Sequence, residues 1–320
     1  MLTELVSAAI AGFLAQMIDG ALGMGYGVTS ASLLLATGMA PAVVAATVKF
    51  AQLGTTLASG ASHWRARNVD ARIVARLAVP GGLGALVGAT VLSSLSLEAA
   101  APVMSALLLG LGILVVIRFA TRRERTGPPD PESPRGRLLV PLGLIGGLVD
   151  STGGGGWGPV VTSTLLTSAR TAPRTVIGSV AAAEFVVTVC ASIGFVLGLG
   201  LGGVSVGLVV ALMIGGVLAA PLAARLAGRL PAGILGVLVG SLIITLNLGP
   251  TLTASAVPPA VRHAVQLGGA LLCLLLLAAA LRRHRISRLG SAGDAQDAAD
   301  PDSAESTTKD IARPLPAPMP

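Results

Sequence analysis

The chain has 320 residues, of which 53% are hydrophobic and only 12% are charged, and its mean hydropathy is +0.82. Soluble domains carry about 25% charged residues, so this composition predicts an integral membrane protein. The net charge of +7 does not indicate nucleic-acid binding, because the arginines lie in short segments between apolar runs and aromatic residues make up only 2% of the chain.

Apolar segments follow one another along the chain. An apolar run of about 20 residues crosses a bilayer as a helix, whereas one of about 10–14 more often enters without crossing. Seven long runs are predicted to cross: 41–61, 73–95, 100–120, 174–199, 203–224, 230–248 and 261–281. Two further regions, 4–37 and 138–168, are split by glycine-rich turns. We predict an all-α membrane protein in which these two regions form re-entrant, glycine-broken helical hairpins.

The two glycine-rich turns resemble each other at a constant offset of 131 residues. Residues 19–27 read DGALGMGYG and residues 150–158 read DSTGGGGWG. Aspartate aligns with aspartate, Tyr26 with Trp157, and glycine with glycine three times. A duplicated, glycine-interrupted apolar segment in a membrane protein is a pointer to the binding site of a transporter.

Five clusters of arginine alternate with loops that carry neither lysine nor arginine, and they lie at 65–72, 122–137, 170–174, 225–229 and 282–288. Cytoplasmic loops are enriched in basic residues, so all five are predicted to be cytoplasmic. The first hairpin then enters from outside and the second from inside, which makes the two repeats inverted. The alternative is that both hairpins cross the membrane fully.

The predicted organisation has five parts. Residues 1–120 form the first transmembrane repeat, 121–137 a proline-rich cytoplasmic linker, and 138–248 the second repeat. Residues 249–288 add one transmembrane helix with a basic cytoplasmic end. Residues 289–320 contain almost no large apolar residues and are predicted to be a disordered cytoplasmic tail of a plasma-membrane protein.

Lys49 is the only lysine outside the tail, in a chain that otherwise uses arginine as its cation. It follows Pro41 by eight residues, which places it about 12 Å into the predicted span at 1.5 Å per residue. An ammonium group at that depth needs a partner. Three interpretations stay open: binding of an anionic substrate, an ion pair with Asp19 or Glu184, or extension of the side chain towards the membrane surface.

Three carboxylic acids also lie within apolar segments. Glu184 aligns with Gln52 of the first repeat, and burial favours the protonated form that a proton carrier needs. Its alternative is a fixed salt bridge or hydrogen bond. Asp19 and Asp150 each precede a glycine turn, where they either cap the next half-helix or form a proton or cation site.

A half-helix that begins after each turn would direct its N-terminal amides and positive dipole end towards the membrane centre. Two such ends suit a small oxyanion. The candidate substrate-binding residues are Lys49, Gln52, Ser151, Thr152, Gly153, Gly154, Gly23 and Gly25. The proton-coupling candidates are Glu184, Asp19 and Asp150. We find no enzyme motif and no metal-ligand spacing among the histidines, and we predict no cofactor.

Residues 143–159, GLIGGLVDSTGGGGWGP, resemble the second-repeat signature of the TauE/SafE sulfite exporter family, and residues 12–27 with KFAQ at 49–52 resemble its first half. The resemblance covers about residues 5–281 and implies transport of small sulfur oxyanions or organosulfonates, with sulfite as the leading substrate. The first turn departs from the pattern, with GALGM where the second has STGGG. The second hairpin is therefore expected to contact substrate more closely.

We therefore predict a secondary transporter with a small anion and membrane lipid as partners, no nucleic acid, and a possible homo-oligomeric state. An inside-negative potential favours anion efflux by about 2.3 kcal/mol per charge per 100 mV, so we predict export, with proton coupling through the acids. The alternatives are an anion channel or a non-transporting membrane assembly or signalling subunit.

Overall fold

The computed structural model describes residues 2–22, 24–120, 136–168, 173–200, 204–226, 232–255 and 257–297. All regular secondary structure in these ranges is helical. The predicted linker, apart from its last two residues, and positions 298–320 of the predicted tail lie outside the described residues.

The helices form two series of similar order. The first series is α1 (Leu2–Leu22), α2 (Tyr26–Ala36), α3 (Pro41–Arg65), α4 (Ala71–Ser94) and α5 (Leu97–Ala120). The second is α6 (Gly136–Thr152), a π-helical turn (Gly158–Thr162) leading into α7 (Ser163–Ser168), α8 (Pro173–Leu199), α9 (Val206–Leu226) and α10 (Ala232–Ala254). A further helix, α11, spans Pro259–Asp297. It continues past residue 288, where the sequence placed the start of the tail, because extending an existing helix adds one hydrogen bond per residue.

Six helical segments of the described chain are long and apolar enough to cross a membrane: Leu2–Asp19, Ala71–Ser94, Leu97–Ala120, Thr175–Leu199, Gly233–Thr253 and Pro259–Arg282. Five of them coincide with predicted spans. The sixth is the first arm of the first predicted hairpin. Helix α3 is not among the six although it has 25 residues, since Lys49, Gln52 and several hydroxyl side chains lower its hydropathy.

The two series pack reciprocally. Helix α1 packs against α9 and α6 packs against α4, so the first helix of each series meets the fourth helix of the other. Helix α5 pairs with α10, and α3 with α8. Glycines permit these contacts: a Cβ at Gly12 would overlap the backbone of Leu212, and one at Gly147 would overlap the backbone of Gly81. Close backbone approach at small residues is a common way for membrane helices to associate.

The two glycine turns meet in the interior of the molecule. A Cβ at Gly155 would overlap the backbone of Gly27 and Val28, so the tips of the two short helical segments touch backbone to backbone. Gly25 has φ +117° and Gly154 has φ +72°, a conformation that glycine adopts without strain. The first turn of α2 is buried. These contacts bring the Asp19 and Asp150 regions together, although 131 residues separate them.

Candidate functional site

Each aspartate that precedes a glycine turn caps the helical segment that follows it. The Oδ1 atom of Asp19 accepts a hydrogen bond from the Tyr26 N–H at 3.3 Å. The Oδ1 atom of Asp150 accepts bonds from the N–H groups of Gly156 at 2.8 Å and Trp157 at 3.1 Å. The capping interpretation therefore describes both positions, and the repeat seen in the sequence is also a repeat of hydrogen bonds.

Lys49 forms a buried ion pair across the two series. Its Nζ donates to Asp150 Oδ2 at 2.6 Å and to Gln52 Oε1 at 2.9 Å. The exposed fractions of the Lys49 and Asp150 side chains are 0% and 1%. The sequence analysis named Asp19 or Glu184 as the partner in an ion pair with Lys49. That partner is wrong, because the turn of the second hairpin places Asp150 next to α3.

The aligned aromatic residues anchor the two short segments to different helices. The Tyr26 hydroxyl donates to the Leu212 carbonyl of α9 at 3.4 Å. The Trp157 Nε1–H donates to the Val180 carbonyl of α8 at 3.2 Å. Both rings are buried, so each turn is held by its aspartate on one side and by its aromatic residue on the other.

A cavity of about 440 Å³ lies against both turns, between α1, α3, α8 and α9. It extends along one face of α3 from Gln52 to His63, where the lining side chains become exposed. The polar side chains that line it are Gln16, Asp19, Gln52, Thr55, Thr56, Ser59, His63, Asp150, Thr162 and Glu184. The cavity therefore carries polar side chains among apolar ones from the turns to its mouth, and it opens at the end of α3 that leads into α4.

Residues in the first turn of each short segment line this cavity. Val28 and Gly158 line it, and no acceptor in the described part of the chain binds their N–H groups. Such orphan donors are expected in the first turn of a helix. The Gln52 side chain is only 4% exposed, and its Nε2 points at Gly27, 3.4 Å from where a Cβ would stand. Because Gln52 Oε1 accepts from Lys49, the NH₂ group lies on the side of Gly27.

Five of the predicted site residues line the cavity: Gln52, Gly25, Asp19, Asp150 and Glu184. Lys49 is buried behind Asp150 and is not part of the lining.

The other predicted site residues lie elsewhere. The hydroxyls of Ser151 and Thr152 donate to carbonyls of their own helix and face Gly88 of α4. Gly153 and Gly154 pack against α5, with Gly154 also against α2, and Gly23 lies outside the described residues. Successive helical residues point about 100° apart, so the neighbours of a cavity residue face other helices.

The sequence interpretation did not include the polar face of α3 beyond Gln52. Thr56, Ser59 and His63 follow Gln52 at spacings of four, seven and eleven residues, which places them on one side of a helix. This periodic polar pattern was sufficient to predict from the sequence that this side of α3 faces a polar site. Gln16 and Thr162 join the site from α1 and the π-helical turn, for which the sequence offered no comparable pattern.

The ionisable groups at the cavity differ in whether they have a partner of opposite charge. Glu184 lies within electrostatic range of Asp19, Asp150 and Lys49. No described residue donates a hydrogen bond to its carboxylate or forms an ion pair with it. Lys49 is already paired with Asp150. In the described residues no group of three or more His, Cys, Asp or Glu side chains is placed to hold a metal ion.

Known proteins resemble this chain over much of its length. The family model described as "Sulfite exporter TauE/SafE" matches residues 8–249. A curated relative, the "Probable membrane transporter protein YtnM" of Bacillus subtilis (strain 168), is 46% identical over 197 residues, which are 62% of this chain and 66% of the relative. The matched part is thus just under two thirds of that relative's length. No solved structure matches the chain.

Proposed function

The chain belongs to the TauE/SafE sulfite exporter family and is a multi-pass membrane protein, and on this basis we propose that it is a secondary transporter of a small sulfur oxyanion or organosulfonate, with sulfite as the leading candidate. The observation that carries the proposal is the cavity at the two touching glycine turns. There Val28 and Gly158, which stand in the first turns of the two short segments, and the Gln52 side chain line one volume.

The electrostatics of the turns support an oxyanion at this place. Each helix start carries a partial positive charge of about half an elementary unit, and orphan amides bind anions without a cationic side chain. Since Asp150 neutralises the Lys49 ammonium, the donors of the proposed site are amides. Lys49 contributes by fixing Asp150 and Gln52, and so acts as a positioning residue.

The packing of the helices supports two re-entrant hairpins in inverted repeats. A Cβ at Gly146 would overlap Val161, so the arms before and after the second turn lie side by side near the tip. The reciprocal contacts of α1 with α9 and of α6 with α4 are those expected of an internal two-fold relation. With the arginine clusters in the cytoplasm, the cavity opens inwards, at the end of α3 beside Arg65.

A cavity that ends at the two turns favours a transporter over an anion channel. Beyond the turns, Ser32 of α2 and Asn247 of α10 are buried and joined by a hydrogen bond of 2.9 Å. These two residues do not line the cavity, whereas a channel would need a polar pore that continues past the turns. We propose that the protein is a plasma-membrane exporter that exchanges its substrate for protons, with Glu184 and Asp19 as the candidate carriers.

The test is uptake of ³⁵S-labelled sulfite by counterflow in proteoliposomes, together with the thermal unfolding of the detergent-solubilised protein in sulfite. We expect saturable counterflow in the wild type and a loss of about ten-fold or more in Gln52→Leu, because a leucine of similar size removes the NH₂ donor. Glu98→Gln, at an exposed position outside the cavity, is the control and should match the wild type. Counterflow that is absent in the wild type, or unchanged in a folded Gln52→Leu variant, would contradict the proposal.

A further inference from the structure

We propose that the substrate passes between its site and the outside through a second cavity, the outer cavity, which is closed in this structure and opens when α8 separates from α4. Its wall is one face of α8, which carries Val187, Thr188, Ala191 and Phe195. The inference rests on the proposed function, to which it adds the residues of the outer half of the path.

The first argument is the correspondence between α3 and α8. Pro41 and Pro173 begin the two helices, and Gln52 and Glu184, which both line the cavity, each follow eleven residues later. The same register pairs α3 residues that line the cavity with residues of α8: Thr55 with Val187, Thr56 with Thr188, Ser59 with Ala191, and His63 with Phe195. Transporters built from inverted repeats alternate access by moving one repeat against the other around a fixed site. The counterpart of the inner wall is therefore expected to line the outer path.

The second argument is a difference in packing between the two series. Helix α8 packs closely along α4, whereas the corresponding pair, α3 and α9, contact each other much less. The cavity lies between α3 and α9. The four residues of the α8 face are fully buried, whereas Thr55, Ser59 and His63 are at least partly exposed. One pair of helices is thus apart while its counterpart is closed, as one of two alternating states requires.

The third argument comes from the aligned aromatic residues of the turns. A Cβ at Gly81 of α4 would lie 2.8 Å from the Trp157 ring and 2.9 Å from Val187, so this ring fills the space between α4 and α8. At Gly216 of α9 the nearest atoms belong to the Tyr26 ring, at 3.5 Å, and both of these residues line the cavity. The space that is open beside Tyr26 is therefore filled beside Trp157.

A polar group is buried on the closed face of α8. The Thr188 hydroxyl is among the buried hydroxyls that have no hydrogen-bond partner in the described part of the chain. Nearly all buried polar groups are paired, so an unpaired one calls for an explanation. Its counterpart Thr56 lines the open cavity. In an open outer cavity the Thr188 hydroxyl would face water and the passing oxyanion, which gives it the partner that it lacks here.

The test is cysteine labelling in a background with Cys190→Ala and Cys273→Ala. Thr188→Cys and Ala191→Cys each place a thiol on the closed face of α8, where 0% of either native side chain is exposed. We expect a membrane-impermeant maleimide to label both thiols from the outside, in right-side-out vesicles. Ser59→Cys, on the corresponding face of α3, should be labelled from the opposite side. Cysteine is close in size to threonine, so Thr188→Cys tests the proposal even where Ala191→Cys does not fold.

The matched control is Ala8→Cys on α1, which is equally buried and whose counterpart in the repeat, Leu139, does not line the cavity. It should stay unlabelled. A functional measurement follows, after the excess reagent has been removed. Labelled Ala191→Cys should lose the sulfite counterflow that the same variant shows before labelling, because the adduct keeps α8 apart from α4.

The outcomes separate the two proposals. If the wild type shows no sulfite counterflow, the proposed function is contradicted. If the wild type exchanges sulfite but neither folded α8 variant is labelled from the side opposite to Ser59→Cys, the outer cavity alone is overturned. Labelling of Ala8→Cys at the same rate also overturns it, since the reagent then enters by a general loosening of the helices. Counterflow that persists in fully labelled Ala191→Cys overturns the assignment of this face to the path.

Discussion

Lys49 and Asp150 stabilise each other in a place where neither charge would be tolerated alone. Both side chains are buried, and the carboxylate uses its second oxygen to cap the turn at Gly156 and Trp157. A buried pair contributes modest net stability, but removing one partner leaves an uncompensated charge. The pair therefore holds the second glycine turn against α3 and sets the position of the Gln52 amide.

We predict that Lys49→Met lowers the free energy of unfolding by about 3–5 kcal/mol, because it leaves the Asp150 carboxylate buried without a cation. The double variant Lys49→Met, Asp150→Asn should recover most of this loss, since asparagine is neutral and still accepts the two amide bonds. Thermal unfolding in detergent measures both. If the double variant is as unstable as the sum of the single variants, the ion pair is not the source of the effect.

The sequence predicted the types of residue at the site better than their contacts. Capping was one of the two interpretations of the matched aspartates, and the sequence could offer it because a cap is local, within eight residues of the chain. The partner of Lys49 lies 101 residues away and depends on the rotation of α6 about its axis, which no local pattern encodes. The same rotation turns Ser151 and Thr152 towards α4, while Asp150 reaches the cavity.

At the scale of helical elements, the contact between the two glycine turns decides the geometry of the site. Gly27 and Gly155 touch through their backbones, which a side chain on either would prevent. This approach brings Val28 and Gly158 to the lining of one cavity. The glycine pairs of the repeat thus serve close approach as well as turning. The sequence predicted that both half-helix starts point towards the membrane centre, and it did not predict their backbone contact.

Gly155→Ala is predicted to destabilise the protein by about 1–3 kcal/mol or more, because its methyl group would overlap the backbone at Gly27, which cannot move like a side-chain end. The matched control is Gly110→Ala on α5, where no atom lies within 4 Å of the added Cβ. Alanine there should be neutral or stabilising by up to about 1 kcal/mol. Equal melting temperatures for the two variants would contradict the proposed contact between the turns.

At the scale of the whole molecule, the repeat of the sequence reappears as reciprocal packing. The first helix of each series packs against the fourth helix of the other. Helices α3 and α8 form two walls of the cavity. The sequence predicted most long helices from their apolar length. It predicted α3 as a membrane span, although one face of α3 is polar and lines the cavity. It predicted α1 as one arm of a hairpin, although an 18-residue stretch of α1 is long and apolar enough to cross a membrane. Length and hydropathy do not distinguish an arm from a span, because both bury apolar side chains.

The direction in which the cavity opens is the property that decides how the protein works, and cysteine labelling reads it directly. Ser59 lines the exposed end of the cavity on α3. In a background with Cys190→Ala and Cys273→Ala, Ser59→Cys should react with a membrane-impermeant thiol reagent in inverted vesicles, where the cytoplasmic face is exposed. Glu98→Cys, at the exposed start of α5, should react in right-side-out vesicles.

The physical reason for this expectation is the arginine pattern, which assigns the end of α3 to the cytoplasm, together with the hydrogen bond between Ser32 and Asn247 on the other side of the turns. A Ser59→Cys variant that is labelled only from outside would reverse the orientation of both repeats, and with it the direction in which this state releases substrate. Labelling from both sides at equal rates would mean a continuous path through the turns, which a channel has and an alternating-access transporter lacks.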